Sequence, residues 1–97
     1  MAHAIVLSPD AVRDLQSLRA HLRAEVREAM ETHLRHQPTR TSKSRIKRLR
    51  GLSRPQYRLR VGETRVFYDV RERTVEVLAI VMKSRADAWL EEQGEKP

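Results

Sequence analysis

Apolar residues first gather in a short, partly β-branched run from His3 to Leu7, which stops at Ser8-Pro9-Asp10. This pattern predicts a strand followed at once by a helix start. Ser8 offers a capping oxygen, Pro9 suits the first helical position, and Asp10 complements the helix dipole. Apolar side chains then recur at Ala11, Leu15, Leu18, Leu22, Val26, Ala29, Met30 and Leu34. Steps of three and four put them on one helical stripe. The stripe is long for one packed helix, so it predicts a helical hairpin breaking near Arg19 to Arg23, or a single bent helix, with Pro38 closing the second arm.

Beyond the polar stretch Thr39 to Ser44, Ile46 and Leu49 lead toward a turn at Gly51, ahead of Pro55. A period of two then replaces the helical one. Tyr57, Leu59 and Val61 alternate with Arg58 and Arg60, which is the pattern of a half-buried strand with one cationic face. Gly62-Glu63 reads as a hairpin turn, after which Val66, Tyr68 and Val70 alternate with Arg65, Phe67 and Asp69. A second turn at Arg71-Glu72-Arg73 precedes Thr74 to Met82, where Val75, Val77, Ala79 and Val81 are expected opposite Glu76, Leu78, Ile80 and Met82. That strand is apolar on both faces near its end and is therefore expected inside the sheet. Ser84 with Asp87 resembles a capping box, and Ala86, Trp89 and Leu90 give a terminal helix one apolar side before Gly94. The order predicts an α+β fold: an N-terminal strand and helical hairpin on a mainly antiparallel four-stranded sheet, with a short C-terminal helix and the helices on one face.

At 97 residues, with no internal repeat, the chain reads as a single domain over 1–97. Cysteine is absent, which excludes a disulfide framework or a thiolate metal site and fits a reducing cytoplasm. No basic leader or membrane-length apolar stretch is visible, so no membrane partner is expected. His3, His21, His33 and His36 show no metal-ligand spacing, and neither a metal nor another cofactor is expected.

Charge changes the picture more. The formal net charge is +7, a field that favours polyanions. From Thr32 to Gly62 there is no Asp or Glu, while Arg35, Arg40, Lys43, Arg45, Lys47, Arg48, Arg50, Arg54, Arg58 and Arg60 all fall there. Basic runs are solvated loops as often as binding surfaces, and in the second case Arg45, Lys47, Arg48, Arg50 and Arg54 are the candidate RNA-binding residues.

Arg48-Leu49-Arg50-Gly51-Leu52, Tyr57-Arg58-Leu59-Arg60-Val61-Gly62, Thr64-Arg65-Val66-Phe67-Tyr68-Asp69-Val70 and Val75-Glu76-Val77-Leu78-Ala79-Ile80 follow one another in this order. Together with Leu7-Ser8-Pro9 and Ala11 at one end and Arg85 to Leu90 at the other, they resemble the RelE/ParE toxin signature across nearly the whole chain. The resemblance implies the toxin of a type II toxin–antitoxin pair, silenced by a cognate antitoxin whose acidic or amphipathic C-terminal segment covers the basic surface. RelE-like members cut mRNA in the ribosome, whereas ParE-like members share the fold and poison DNA gyrase. A third possibility is a non-catalytic relic that binds nucleic acid or its antitoxin. Fold alone does not separate these outcomes.

For a metal-independent endoribonuclease of this kind, the 2′-hydroxyl attacks the adjacent phosphate, so the site must stabilise growing negative charge and move protons. The resemblance carries Arg58, Arg60 and Arg65 onto the basic positions of two adjacent strands and Arg85 onto the arginine after the last strand. Lys83 completes the candidate catalytic set. Arginines on an open strand face also serve solubility. Trp89 and Tyr68 read first as packing residues. The chain departs from the RelE pattern at Arg85-Ala86-Asp87-Ala88-Trp89-Leu90, which holds neither the Tyr nor the His that several RelE-like toxins use for proton transfer. Arginine holds its proton too tightly to replace them, which leaves Lys83, Tyr57, Tyr68 and Asp87 as proton-transfer candidates.

Overall fold

A computed structural model describes residues 2–97. Its elements run β1 (Ala4–Leu7), α1 (Pro9–Ser17), α2 (Ala20–Leu34), β2 (Ile46–Arg48), β3 (Tyr57–Val61), β4 (Thr64–Arg71), β5 (Thr74–Met82) and α3 (Lys83–Gln93). Among the described residues the sheet has five strands, in the order β1-β5-β4-β3-β2. β1 runs parallel to β5, from Ala4 opposite Thr74 to Leu7 opposite Val77, and the other neighbours are antiparallel. The α+β class expected from the pattern holds, and β5 lies inside the sheet between β1 and β4. No helix among the described residues is long and apolar enough to cross a membrane.

Local chemistry explains most boundaries. Ser8 Oγ accepts from the Ala11 amide at 3.1 Å and Pro9 takes the first helical position, so α1 starts where the sequence predicts. Leu18 and Arg19 are extended, with ψ near 149° and 152°, and this break divides the apolar stripe into the hairpin α1–α2. Ala11, Leu15, Val26, Met30 and Leu34 are buried by it against Leu59, Val66, Tyr68, Val75, Val77 and Ile80. The β3–β4 turn places Gly62 at φ +57°, a left-handed conformation that glycine adopts without a Cβ clash.

The structure corrects the expected architecture in several places. The sheet has five strands because β2 pairs with β3, Ile46 opposite Leu59 through Arg48 opposite Tyr57. A three-residue strand with one buried side chain shows no alternation of its own; its partner defines it. α2 ends at Leu34, before Pro38, which is buried and whose carbonyl accepts the Tyr68 hydroxyl at 2.6 Å. The capping box at Ser84 and Asp87 does not form. β5 runs directly into α3, and the Lys83 amide donates instead to the Glu63 carbonyl in the β3–β4 turn at 2.7 Å.

The helices do not share one face. α3 packs on the opposite side from the hairpin, where Phe67, Ala79 and Ala86 form a second buried cluster with Val81, Trp89 and Leu90 against it. Phe67 and Trp89 stack with centroids 4.9 Å apart and planes 4° from parallel. The alternation expected along β5 also fails. Phe67 pairs with Ala79 but Tyr68 pairs with Val77, so Leu78 is an extra residue. This bulge puts Val75, Val77 and Ile80 on the hairpin side and Ala79 and Val81 on the α3 side.

Candidate functional site

The face that carries α3 is covered only in part. Between α3 and the β2–β3 region lies a cleft of about 710 Å³, bordered by Lys47, Arg50, Arg58, Arg65 and Lys83, with Phe67, Ala86 and Leu90 as apolar ground. Asp87 is its one carboxylate among the described residues. Strand pairing brings the cations together: Lys47 stands opposite Arg58, Arg58 opposite Phe67, and Arg60 opposite Arg65. Side chains that pair directly across strands share a face, which gives β2, β3 and β4 one common cationic surface.

Arg58 is at its centre. It is partly buried, its Nε is sealed from solvent without a hydrogen-bond partner, and its guanidinium is pushed below the ordinary arginine range by desolvation, then by the charges of Arg65 and Arg60. An arginine held beside two others on apolar ground is poised to take up an anion. Arg65 is only 6% exposed, and its guanidinium donates to the Gly62 and Thr64 carbonyls at 2.7 and 3.0 Å. It is therefore locked to the turn and presents a fixed charge rather than a mobile clamp.

Several expected members are placed elsewhere. Arg60 shares the cationic face but is exposed and does not border the cleft, and Arg85 is exposed on α3 without lining it. Arg48 borders the cleft, yet its guanidinium stacks 5.0 Å over the Tyr57 ring. Arg45 lines a different concavity. Arg54 is committed to the fold: its Nε meets Asp69 Oδ2 at 2.8 Å and its other terminus meets Glu76 Oε1 at 2.7 Å.

The proton-transfer candidates separate as clearly. Tyr68 is fully buried on the hairpin side, donates to Pro38 and stacks on Tyr57 at 5.5 Å, and burial raises its hydroxyl far above the ordinary tyrosine value. Tyr57 packs with it against that core, away from Arg58. Lys83 and Asp87 remain in the cleft, both exposed and one helical turn apart on α3. No His or Tyr among the described residues borders the cleft. The apolar ground of Phe67 and Leu90 is not recognisable in the sequence, because Phe67 reads there as one residue of a polar face. Among the described residues no group of three or more His, Cys, Asp or Glu is placed to hold a metal ion.

A family model described as the ParE toxin of the type II toxin-antitoxin system parDE matches residues 5–87. No curated protein matches the chain. The structure is similar to the RelE of an archaeal RelE-RelB complex from Pyrococcus horikoshii OT3, at 25% identity and a TM-score of 0.71, with 88% of this chain and 99% of that one covered. It is similar to a chain of the RelBE2 toxin-antitoxin complex of Mycobacterium tuberculosis, at 25% identity and a TM-score of 0.67 over 84% and 99% of the two chains. A mutant of the E. coli toxin RelE in the free state shares the fold at 19% identity, with a TM-score of 0.69 and 94% of each chain covered. The chain belongs to the ParE toxin family of type II toxin–antitoxin systems, within the RelE/ParE superfamily.

Proposed function

We propose that this toxin is a ribosome-dependent mRNA interferase whose cleft holds the scissile phosphate. The observation that carries the reading is Arg58: a buried, unpartnered guanidinium nitrogen between Arg65 and the apolar ground of Phe67, in a cleft with one carboxylate among the described residues. A phosphate is the ligand such a site satisfies best. Water is displaced by the apolar ground, which strengthens each charged contact.

The step this arrangement supports is attack of an RNA 2′-hydroxyl oxygen on the adjacent phosphorus. The 2′-oxygen–phosphorus bond forms and the bond to the 5′-oxygen breaks, leaving a cyclic phosphate and a 5′-hydroxyl. Asp87 takes the proton from the 2′-hydroxyl and Lys83 supplies one to the departing 5′-oxygen, while Arg58 and Arg65 stabilise the charge on the phosphoryl oxygens. Arg60 and Arg85 lie outside the cleft and serve the approach of the polyanion rather than the reacting phosphate.

The partner that silences it is a cognate antitoxin with an acidic or amphipathic C-terminal segment. The Pyrococcus and Mycobacterium relatives were solved as toxin–antitoxin complexes, and the +7 charge of this chain suits an acidic cover. A second reading, a gyrase poison that cuts nothing, is favoured by the absence of His and Tyr from the described cleft border and by the parDE description of the family model.

Induction of the chain followed by mapping of mRNA 5′ ends separates the two. The interferase reading expects codon-phased new ends that disappear with Arg58→Ala and with Asp87→Asn, each slowing cleavage by roughly ten- to a thousandfold. Growth arrest with intact mRNA and broken or stalled chromosomes would assign the gyrase reading instead.

A further inference from the structure

The cleft occupies one side of the edge strand β2, and another concavity opens at the start of that strand. His33 in the last turn of α2, His36 just beyond it, Arg40, Ser42 and Arg45 from the following loop, and Ile46 border a space of about 310 Å³. No Asp or Glu among the described residues lines it. Arg40 and Arg45 are exposed and belong to none of the ion pairs among the described residues. The loop is nonetheless built: Arg40 Nη1 donates to Gln37 Oε1 at 3.0 Å, and Ser42 Oγ accepts the amides of Arg45 and Ile46 at 3.0 and 3.4 Å. His33 is partly buried, and desolvation, then the Arg45 charge, hold its imidazole below the ordinary histidine value.

This concavity and the cleft adjoin. The Arg45 carbonyl accepts the Arg60 amide at 2.8 Å, and two residues on, Lys47 pairs with Arg58. At a strand rise of roughly 3.3 Å per residue, the step from Arg45 to Lys47 covers about 7 Å. β2 is the outermost strand of the sheet and borders both spaces, Lys47 and Arg48 the cleft and Ile46 the other.

We propose that this concavity is a second phosphate subsite, and that one single-stranded polynucleotide backbone runs from the cleft across the β2 edge into it. The proposal rests on the RNA reading of the cleft and adds its length, its direction and the residues His33, His36, Arg40 and Arg45. Unpaired guanidinium groups lodged in a built loop without acids repel one another, and a chain of phosphates removes that repulsion. The donor set favours a nucleic acid over an acidic peptide. A peptide segment anchors through apolar side chains, and the one apolar residue bordering this space among the described residues, Ile46, is already buried in the core. Imidazole rings and arginine planes, by contrast, accept both phosphates and unstacked bases.

The test uses the full-length chain, fluorescently labelled oligouridylates and anisotropy over a range of salt. One oligomer is short enough to fill the cleft alone; the other is several nucleotides longer. The Arg40→Ala/Arg45→Ala double variant is expected to bind the longer oligomer about tenfold more weakly and to lose about 1.4 from its salt slope, the share of two phosphate contacts on a single strand. Its affinity for the short oligomer should equal that of the parent, and circular dichroism should show an unchanged fold. Arg58→Ala should weaken both oligomers. A double variant with parental affinity and slope for the longer oligomer would overturn the second subsite while the effect of Arg58→Ala leaves the cleft reading in place. Loss of binding in the double variant without any effect of Arg58→Ala would overturn the continuous track. Tighter binding of an oligoglutamate of equal charge, abolished in the double variant, would overturn it in favour of a peptide-docking face.

Discussion

The Asp14 carboxylate on α1 accepts the backbone amide of Ile80 at 2.9 Å, across the sheet edge where β1 has ended. Two residues earlier in β5, the Leu78 carbonyl accepts the hydroxyl of Ser8 at 3.0 Å. The bulge leaves β5 with backbone groups that β1 is too short to reach, and α1 satisfies them with side chains. Ser8 therefore both starts α1 and fastens it to the sheet.

Asp14→Ala should lower stability by about 1 to 3 kcal/mol, because Ile80 is buried and its amide loses its acceptor. Urea unfolding monitored by circular dichroism measures the loss. Asp14→Asn, which keeps an acceptor oxygen, should cost clearly less; equal losses for the two would show that the bond contributes nothing.

The two faces of β3 should separate stability from function. Leu59 is fully buried in the hairpin core, so Leu59→Ala should cost about 2 to 4 kcal/mol. Arg60, next along the strand, is exposed, and Arg60→Ala should leave the melting temperature nearly unchanged. Calorimetry on the two variants decides the matter, and an unfolded Arg60→Ala beside a stable Leu59→Ala would mean that the strand faces the other way.

The facing of β3 is legible in the sequence because Tyr57 to Val61 alternates without interruption. The same rule misassigns the second half of β5, since a bulge shifts the phase while leaving every residue type in place, and a period of two carries no mark of it. β2 escapes it because three residues are too few to show a period. The cationic site is legible as charge but not as geometry. Arg58, Arg65 and Lys83 converge through pairing and through the direction of α3, whereas Arg54, equally basic in sequence, is drawn off by Asp69 and Glu76, which lie far along the chain.

Arg54→Ala should accordingly act on the fold. Asp69 is 6% exposed and has two partners, Arg54 and the Gln56 amide at 2.8 Å; without the first it is a nearly buried carboxylate held by one hydrogen bond. A stability loss of about 1 to 3 kcal/mol is expected, with oligouridylate affinity much closer to the parent than that of Arg58→Ala. Thermal melts and anisotropy on the same preparations check both halves.

Tyr68 should make the protein sensitive to alkali. Its hydroxyl titrates far above the ordinary value of 10.0 in the folded state, mainly through desolvation and then through Tyr57. A raised folded value means that the native state keeps the proton after the unfolded chain has released it, so this stabilising contribution is whole below pH 10 and declines as the pH rises through and beyond it. Phenolate absorbance should reveal one tyrosine that ionises only as the native circular dichroism signal disappears. A Tyr68 that ionises while the fold is intact would contradict the packing described.

The extra residue at Leu78 acts as a parity switch for the whole C-terminal end. Ahead of it, the side chains of β5 that point to the hairpin are the odd-numbered Val75 and Val77; after it, the odd-numbered Ala79 and Val81 point the other way. α3 follows β5 without a linker, so the same parity decides which side of the sheet receives Trp89 and whether Lys83 and Asp87 face Arg58 at all. Deleting Leu78 would leave Val77 opposite Tyr68 and Ala79 opposite Phe67 and keep the wall of the cleft on its present side, whereas pairing Leu78 in a regular ladder would turn that wall toward the wrong one. Descendants of this sequence are therefore free to exchange residues along β5, or to lose the extra one, but not to pair it, and the cleft is inherited through a bulge as much as through its arginines.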